Sequence, residues 1–175
     1  MKLDNISARN LFLVGPMGVG KTTIGRQLAH VLMREFKDSD REIEERTGAT
    51  IPLIFELEGE AGFRKRESDI INELTNLPQV VLATGGGVIL NVENRRHLRE
   101  RGTVIYLQAS LDQLVKRTSR SKNRPLLQMG NPRAKIEQLL NERTPLYESV
   151  ADLTVETGRR SVKSVLKEIL KHLSV

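Results

Sequence analysis

The sequence predicts an α/β protein in which helices cover both faces of a parallel sheet. Short, almost wholly apolar runs alternate with helical stretches, as expected for strands buried on both sides. The chain has 175 residues, enough for one domain with a sizeable core. Only 3% of the residues are aromatic, so the core must consist mainly of Leu, Ile and Val.

Each predicted element has its own local signal. Residues Ile24, Leu28, Val31 and Leu32 recur at helical spacing and form one apolar face. Gly48 is placed to end a helix that begins near residue 40. The predicted strands are 11–14, a short run around Phe36, 80–83, 103–107 and 153–157. The other predicted helices are 53–76, 92–101, 111–117, about 133–143 and 162–173, and residues 119–132 are predicted to form a mobile loop.

Charge and composition narrow the class of protein. The net charge is +6, but the basic residues are dispersed and few aromatic side chains could stack on bases, so we expect no nucleic-acid partner. The absence of cysteine fits a reducing cytoplasm. No apolar run approaches a membrane span, and the first residues do not have the pattern of a signal peptide.

The strongest functional signal is GPMGVGKT at residues 15–22, which matches G-x-x-x-x-G-K-[ST] between a predicted strand and a helix. Glycines let several backbone N–H groups point at one phosphate, and the helix N-terminus adds positive potential. Lys21 can reach the β- and γ-phosphates, and the Thr22 hydroxyl can join a magnesium shell. The alternative is a glycine turn with an exposed lysine. Chance alone gives about one such match per two hundred chains of this length.

A phosphate loop does not name the reaction, because GTPases, ATPase motors and small-molecule kinases share it. The chain lacks the N-K-x-D string that reads guanine, and it is short, so a small-metabolite kinase is favoured. A nucleic-acid-binding ATPase and a regulatory ATP-binding module stay as alternatives.

Two carboxylates follow the second predicted strand. Asp38 and Asp40 are two residues apart, so in an extended strand they would face the same side, at the edge where parallel sheets bind ligands. One could hold magnesium through water while the other accepts a proton from an attacking hydroxyl. The alternative is that Asp40 only caps the next helix and that Asp38 is solvated.

Four further features suggest phosphoryl transfer to a polar, anionic substrate. Arg64 and Glu67 would share a helix face, either as a clamp for a carboxylate or as an ordinary surface ion pair. Three glycines at 85–87 follow a predicted strand and would offer N–H donors to a substrate, or form a flexible turn. Arg124 lies in the predicted mobile loop, where it could close onto the γ-phosphate as a lid. Arg143 lies at a predicted helix end before a proline, where the helix dipole alone would favour a cation.

Together these segments closely resemble the shikimate kinases of the bacterial type. The resemblance runs from about residue 10 to residue 156, in order and with similar spacing. It is carried by the segments GPMGVGKTTIGRQLA, FKDSDREIE, FELEGEAGFRKRE, VLATGGG, RPLL and NERTPLYE.

The resemblance implies a P-loop NTPase sandwich with a five-stranded parallel sheet and a mobile lid. It implies one kinase domain over 1–175, with the lid at about 119–134 and a substrate-binding region at about 38–67. The implied reaction is transfer of a phosphoryl group from ATP to the 3-hydroxyl of shikimate, on the way to chorismate and the aromatic amino acids. A gluconate kinase of the same architecture is the nearest rival.

The resemblance also assigns residues. Asp40 is the implied base, and Lys21 and Arg124 complete the implied catalytic set. Mg²⁺ would be met by Thr22 and, through water, by Asp38. Shikimate would be bound by Asp40, Arg64, Gly85, Gly86, Gly87 and Arg143. ATP would be bound by Gly15, Gly18, Val19, Gly20, Lys21, Thr22, Thr23, Arg117, Arg124 and Arg160. A cytoplasmic monomer is expected.

Overall fold

The computed structural model describes residues 8–120 and 130–175, which form five strands and seven α-helices. The strands are β1 (Asn10–Val14), β2 (Glu35–Asp38), β3 (Val80–Ala83), β4 (Gly102–Gln108) and β5 (Leu153–Glu156). The helices are α1 (Lys21–Leu32), α2 (Ser39–Thr47), α3 (Ile51–Leu74), α4 (Val92–Arg101), α5 (Leu111–Thr118), α6 (Pro132–Val150) and α7 (Val162–His172). A short 3₁₀ helix, Val88–Leu90, follows β3.

The strands form one parallel sheet in the order β2-β3-β1-β4-β5, as the alternation of strands and helices predicts. Strand β1 lies at its centre, with Leu11 in register with Val81 of β3 and Thr103 of β4. Alternate side chains of β1 enter different cores: Leu11 and Leu13 pack on one face, and Phe12 and Val14 pack on the other. This period of two explains why the central strands contain almost no polar residues.

Helices cover both faces of this sheet. Apolar residues of α1, α5 and α7 fill the core on the Leu11 side, and those of α2, α3 and α4 fill the core on the Phe12 side. Helix α6 contributes Ile136 to the first core and Tyr147 to the second. Because all five strands are parallel, the loops after β1, β2 and β3 open at one edge of the sheet, where such folds bind ligands.

Helix α6 differs from the prediction. It was expected to end near Arg143, before Pro145, but it continues to Val150 with the proline inside it. An internal proline removes one backbone hydrogen bond and costs about 3 kcal/mol or more. The residues beyond it, Tyr147 and Val150, are buried in the core, and their burial holds the last turns in place.

Helix α3 contains a break that its periodicity did not reveal. Gly59 has φ 71° and ψ −179°, a conformation that is essentially confined to glycine, so the element consists of two helical segments that meet at this residue. Glu58 and Arg66 form an ion pair across the break.

The lid expectation and the membrane-span expectation have different outcomes. Most of the expected lid, including Arg124, falls within residues 121–129 and lies outside the described residues. Within the described parts of the chain, none of the helices combines the length and the apolar character that crossing a membrane requires.

Candidate active site

The segment between β1 and α1 has the geometry of a phosphate loop. Gly15, Gly18 and Gly20 all have positive φ, at 147°, 79° and 105°, so the loop needs glycine at these positions. Lys21 opens α1 and is only 9% exposed, and its Nζ donates hydrogen bonds to the carbonyls of Gly15 at 2.6 Å and Pro16 at 2.9 Å. The alternative of a turn with an exposed lysine is therefore wrong.

The next residue of α1 connects this loop to strand β2. The Thr22 hydroxyl donates to Oδ2 of Asp38 at 2.7 Å. The other oxygen of Asp38 accepts from the backbone N–H groups of Asp40 and Arg41, so Asp38 is the N-cap of α2. The capping role that the sequence allowed for Asp40 therefore belongs to Asp38, which is not simply solvated.

Asp40 lies near Asp38, but the two residues are not part of the same strand, contrary to the prediction. Strand β2 ends at Asp38, and Asp40 is in the first turn of α2, so the two side chains do not share a strand face. Both still line one cleft of about 300 Å³. Its lining residues are Met17, Gly18, Gly20, Lys21, Thr22, Thr23, Asp38, Asp40, Thr84, Gly85, Gly86 and Arg117.

The three glycines after β3, which we call the glycine loop (residues 85–87), form another wall of the site. The Gly85 N–H donates to the buried Ser39 Oγ at 3.0 Å, and the Gly85 carbonyl accepts from Val88 N–H at 3.1 Å. The Tyr147 hydroxyl donates to the Gly86 carbonyl. The loop is therefore fixed rather than a flexible turn, and the Gly85 N–H is not available to a ligand as the sequence had suggested.

Two arginines from different helices meet at the glycine loop. A Cβ on Gly87 would collide with the guanidinium of Arg64 in α3. A Cβ on Gly86 would lie 3.6 Å from Nη1 of Arg143 in α6. Arg143 is 4% exposed and lies inside its helix, so its placement owes nothing to a helix C-terminus.

The pair formed by Arg64 and Glu67 is not an ordinary surface pair. Arg64 Nη1 donates to Glu67 Oε1 at 2.9 Å, and the Glu67 side chain is 1% exposed. Burial raises the pKa of Glu67, while the charges of Arg64 and Arg143 oppose that shift. Both Glu67 Oε2 and Asp40 Oδ1 lie beside Gly85, within 3 Å of where its Cβ would be, so a side chain at Gly85 would displace a carboxylate.

A second cavity of about 290 Å³ adjoins the phosphate loop on the side of α7, and Val19, Thr23, Arg117 and Arg160 are among its lining residues. The Arg117 guanidinium donates to the carbonyls of Val19 at 3.1 Å and Gly158 at 2.7 Å. Arg160 pairs with Glu168 of α7. Arg117 lines both cavities, so the two meet at this side chain.

Comparison with known proteins decides the family. A protein-family model described as shikimate kinase matches residues 17–174. The chain belongs to the shikimate kinase family. The resemblance drawn from its motifs is therefore confirmed.

Individual relatives of the shikimate kinase family match over most of their length. The shikimate kinase of Nitrosococcus oceani is 58% identical over 164 residues, which are 94% of this chain and 86% of that protein. The shikimate kinase of Methylococcus capsulatus is 57% identical, over 93% of this chain and 90% of that protein. Among solved structures, the shikimate kinase of Acinetobacter baumannii in complex with shikimate has a TM-score of 0.92 and 52% identity, covering 96% of this chain and 94% of that one.

Two residues of this candidate site were not found by sequence reasoning. Ser39 lies between the two aspartates and is fully buried, and Tyr147 lies one helical turn after Arg143. The only sequence signals were their positions next to predicted site residues. Among the described residues, no group of three or more His, Asp or Glu side chains could hold a metal by itself.

Proposed function

We propose that this protein is an ATP-dependent shikimate kinase, which transfers the γ-phosphoryl group of ATP to the 3-hydroxyl of shikimate. The products are shikimate 3-phosphate and ADP, and the reaction belongs to the route to chorismate and the aromatic amino acids. One observation supports it most: two buried or half-buried arginines meet beside a fixed glycine loop, next to the cleft that carries Lys21 and Asp40. The solved relative from Acinetobacter baumannii holds shikimate in the same fold.

The substrate carboxylate is gripped by Arg64 and Arg143. Guanidinium groups match a carboxylate with two parallel hydrogen bonds, and Glu67 limits the orientations that Arg64 can take. Among the described residues, the N–H groups of Gly86 and Gly87 donate no hydrogen bond, so they are free to bind substrate oxygens. These contacts hold the ring of the substrate with one hydroxyl towards Asp40.

Asp40 is the proton acceptor. As the 3-oxygen of shikimate forms its bond to the γ-phosphorus, its proton passes to the Asp40 carboxylate, and the bond from phosphorus to the bridging oxygen of ADP breaks. The reaction depends mainly on positioning and on neutralising the phosphate charge. Lys21 and the backbone N–H groups of the phosphate loop supply that neutralisation, and we propose that Arg124 adds to it.

The oxygen atoms that Thr22 of α1 and Asp38 of β2 present beside the phosphate loop fit Mg²⁺. This ion prefers oxygen ligands and keeps several waters, so one hydroxyl and one carboxylate beside the phosphates suffice. Thr22 Oγ1 and Asp38 Oδ2, which lie 2.7 Å apart, are the proposed holders, with Asp38 acting through water. When bound, the ion neutralises charge on the β- and γ-phosphates.

The cavity next to α7 is the proposed adenine site. Arg117, which lines both cavities, would lie against the adenine, and Arg160, which also lines this cavity, would lie nearby. We further propose a single-domain, monomeric, cytoplasmic enzyme, with a lid at about 119–134 and a substrate-binding region at about 38–67.

Product analysis tests this function. Purified protein, ATP and Mg²⁺ are incubated with shikimate or with gluconate, and the products are identified by mass spectrometry. We expect a monophosphorylated shikimate and no phosphorylated gluconate. Phosphorylation of gluconate alone would refute the proposal.

A further inference from the structure

Three successive peptide units of the glycine loop are each fixed by a hydrogen bond. The N–H of Gly85 donates to Ser39 of α2, and the carbonyl of Gly85 accepts from Val88 of the 3₁₀ helix. The carbonyl of Gly86 accepts from the Tyr147 hydroxyl of α6. The third of these bonds is the only one of the three that connects the loop to the helix that carries Arg143.

Tyr147 controls the direction of a neighbouring N–H through this bond. The carbonyl of Gly86 and the N–H of Gly87 belong to one planar trans peptide unit, so they point in opposite directions. Fixing the Gly86 carbonyl therefore fixes the Gly87 N–H. Without the hydroxyl, this glycine peptide could rotate at little steric cost, since glycine tolerates most backbone conformations.

Tyr147 also connects the loop to Arg143. The two residues are four apart in α6, so their side chains lie on the same face of the helix. The Tyr147 side chain is fully buried and its ring stacks on that of Tyr106, with centroids 5.1 Å apart and 22° between the planes. A rigidly packed ring therefore carries a hydroxyl that reaches the loop next to the Arg143 guanidinium.

We propose that Tyr147 is a positioning residue for shikimate binding, which aligns the Gly86–Gly87 peptide with Arg143 through its hydroxyl. This inference rests on the proposed function. Tyr147 is not among the residues that line the cleft, and it acts through Gly86, which lines it, and through the neighbouring Gly87 and Arg143. Burial raises the pKa of Tyr147, so the hydroxyl keeps its proton and stays a donor at the pH of any ordinary assay.

The test compares two variants that each remove one buried tyrosine hydroxyl. Tyr147→Phe keeps the stacked ring and removes the hydroxyl, and with it the bond to Gly86 and the interaction with Arg143. Tyr106→Phe is the matched control, because its side chain is also buried but its hydroxyl interacts with Thr144 rather than with the glycine loop. Melting temperature, kcat, and KM for shikimate and for ATP are measured for both variants and for the unmodified protein.

We expect Tyr147→Phe to raise the shikimate KM about three- to tenfold, the effect of losing one well-placed hydrogen bond. Its ATP KM should stay within about twofold of the unmodified value, and Tyr106→Phe should leave both KM values unchanged. A merely structural role would lower the melting temperature of both variants without moving the shikimate KM, and that result overturns the inference. If the unmodified protein phosphorylates no shikimate, the proposed function itself has failed.

A second measurement needs no Tyr147 variant. The chain has only two tyrosines, Tyr106 and Tyr147, so protein labelled with ¹³C at the ring carbon that bears the hydroxyl gives two signals, assigned with Tyr106→Phe. We expect saturating shikimate, added without nucleotide, to shift the Tyr147 signal more than the Tyr106 signal. A Tyr147 signal that does not move under saturating shikimate would contradict the coupling.

Discussion

Arg64 donates a hydrogen bond to Glu67 over 2.9 Å, and the carboxylate that receives it is almost completely shielded from water. Burial raises the pKa of Glu67 above its ordinary value of 4.5. The Glu67 carboxyl therefore keeps its proton to a higher pH in the folded protein than in the unfolded chain. The stability contributed by this group is fully present below about pH 4.5 and falls as the pH rises through the folded value.

Glu67→Gln removes the free-energy cost of burying a charged carboxylate. It also weakens the interaction that orients Arg64. We expect the variant to melt at a higher temperature than the unmodified protein at neutral pH, with the difference shrinking towards pH 4.5. The shikimate KM should rise at least about fivefold, since the ion pair with the guanidinium becomes a hydrogen bond to an uncharged amide. Melting curves across the pH range and steady-state kinetics measure both effects.

The control for this prediction is Glu60→Gln. Glu60 contacts the same arginine at 3.4 Å, but its side chain is 53% exposed. Its replacement should therefore change neither the melting temperature nor the shikimate KM much. A Glu67→Gln variant that is less stable than the unmodified protein throughout the neutral range would show that the ion pair outweighs the cost of burial.

Arg64→Ala should raise the shikimate KM by about ten- to a hundredfold, because it removes one of two guanidinium groups proposed to grip the carboxylate. The ATP KM should stay near its original value. Arg66→Ala, two residues further along α3, is the control: Arg66 is exposed and pairs with Glu58 away from the cleft. If both changes raised the shikimate KM equally, Arg64 would be an ordinary structural ion-pair residue and not a substrate-binding residue.

Gly87→Ala tests the contact between the glycine loop and Arg64. The backbone at Gly87 has φ −95°, which alanine adopts without strain, so the cost of the change is the collision of the new methyl group with the guanidinium. We expect the shikimate KM to rise about tenfold or more as Arg64 is displaced. In an Arg64→Ala background the same change should add almost nothing. Additive effects in the double variant would mean that Gly87 acts independently of Arg64.

Asp40→Asn should lower kcat by about 10²- to 10⁴-fold, the usual contribution of a positioned general base, and should leave the fold and ATP binding intact. Asp38→Asn gives the contrast, since its main effect should be a higher Mg²⁺ concentration for half-maximal rate. Calorimetric titration with ATP and steady-state kinetics separate the two roles. Near-full turnover by Asp40→Asn would show that another group accepts the proton.

Sequence patterns predicted the sheet and the phosphate loop because both depend on local signals. Glycines and a lysine at fixed spacing define the loop, and apolar runs buried on both faces define parallel strands. The relation between Asp38 and Asp40 could not be predicted in detail, because it depends on where β2 ends and α2 begins, a boundary of one residue.

The other differences between the sequence predictions and the structure arise from tertiary packing. A proline near Arg143 is a valid local signal for a helix end, but burial of Tyr147 outweighs it. Spacing placed Arg64 and Glu67 on one helix face without showing that only the carboxylate is buried. The hydrogen bond from the Gly85 N–H to Ser39 Oγ joins positions 46 residues apart, and no local pattern in the sequence marks it.

We propose that a carboxylate-binding pocket and a phosphate loop serve one phosphoryl transfer in this protein. The most direct measurement is the initial rate of ADP release by the unmodified protein with ATP and Mg²⁺, in the presence and absence of shikimate. We predict a rate that depends on shikimate, saturates with its concentration and is close to zero without it. An ADP release rate that shikimate does not change would contradict the assignment of this cleft as the site of transfer.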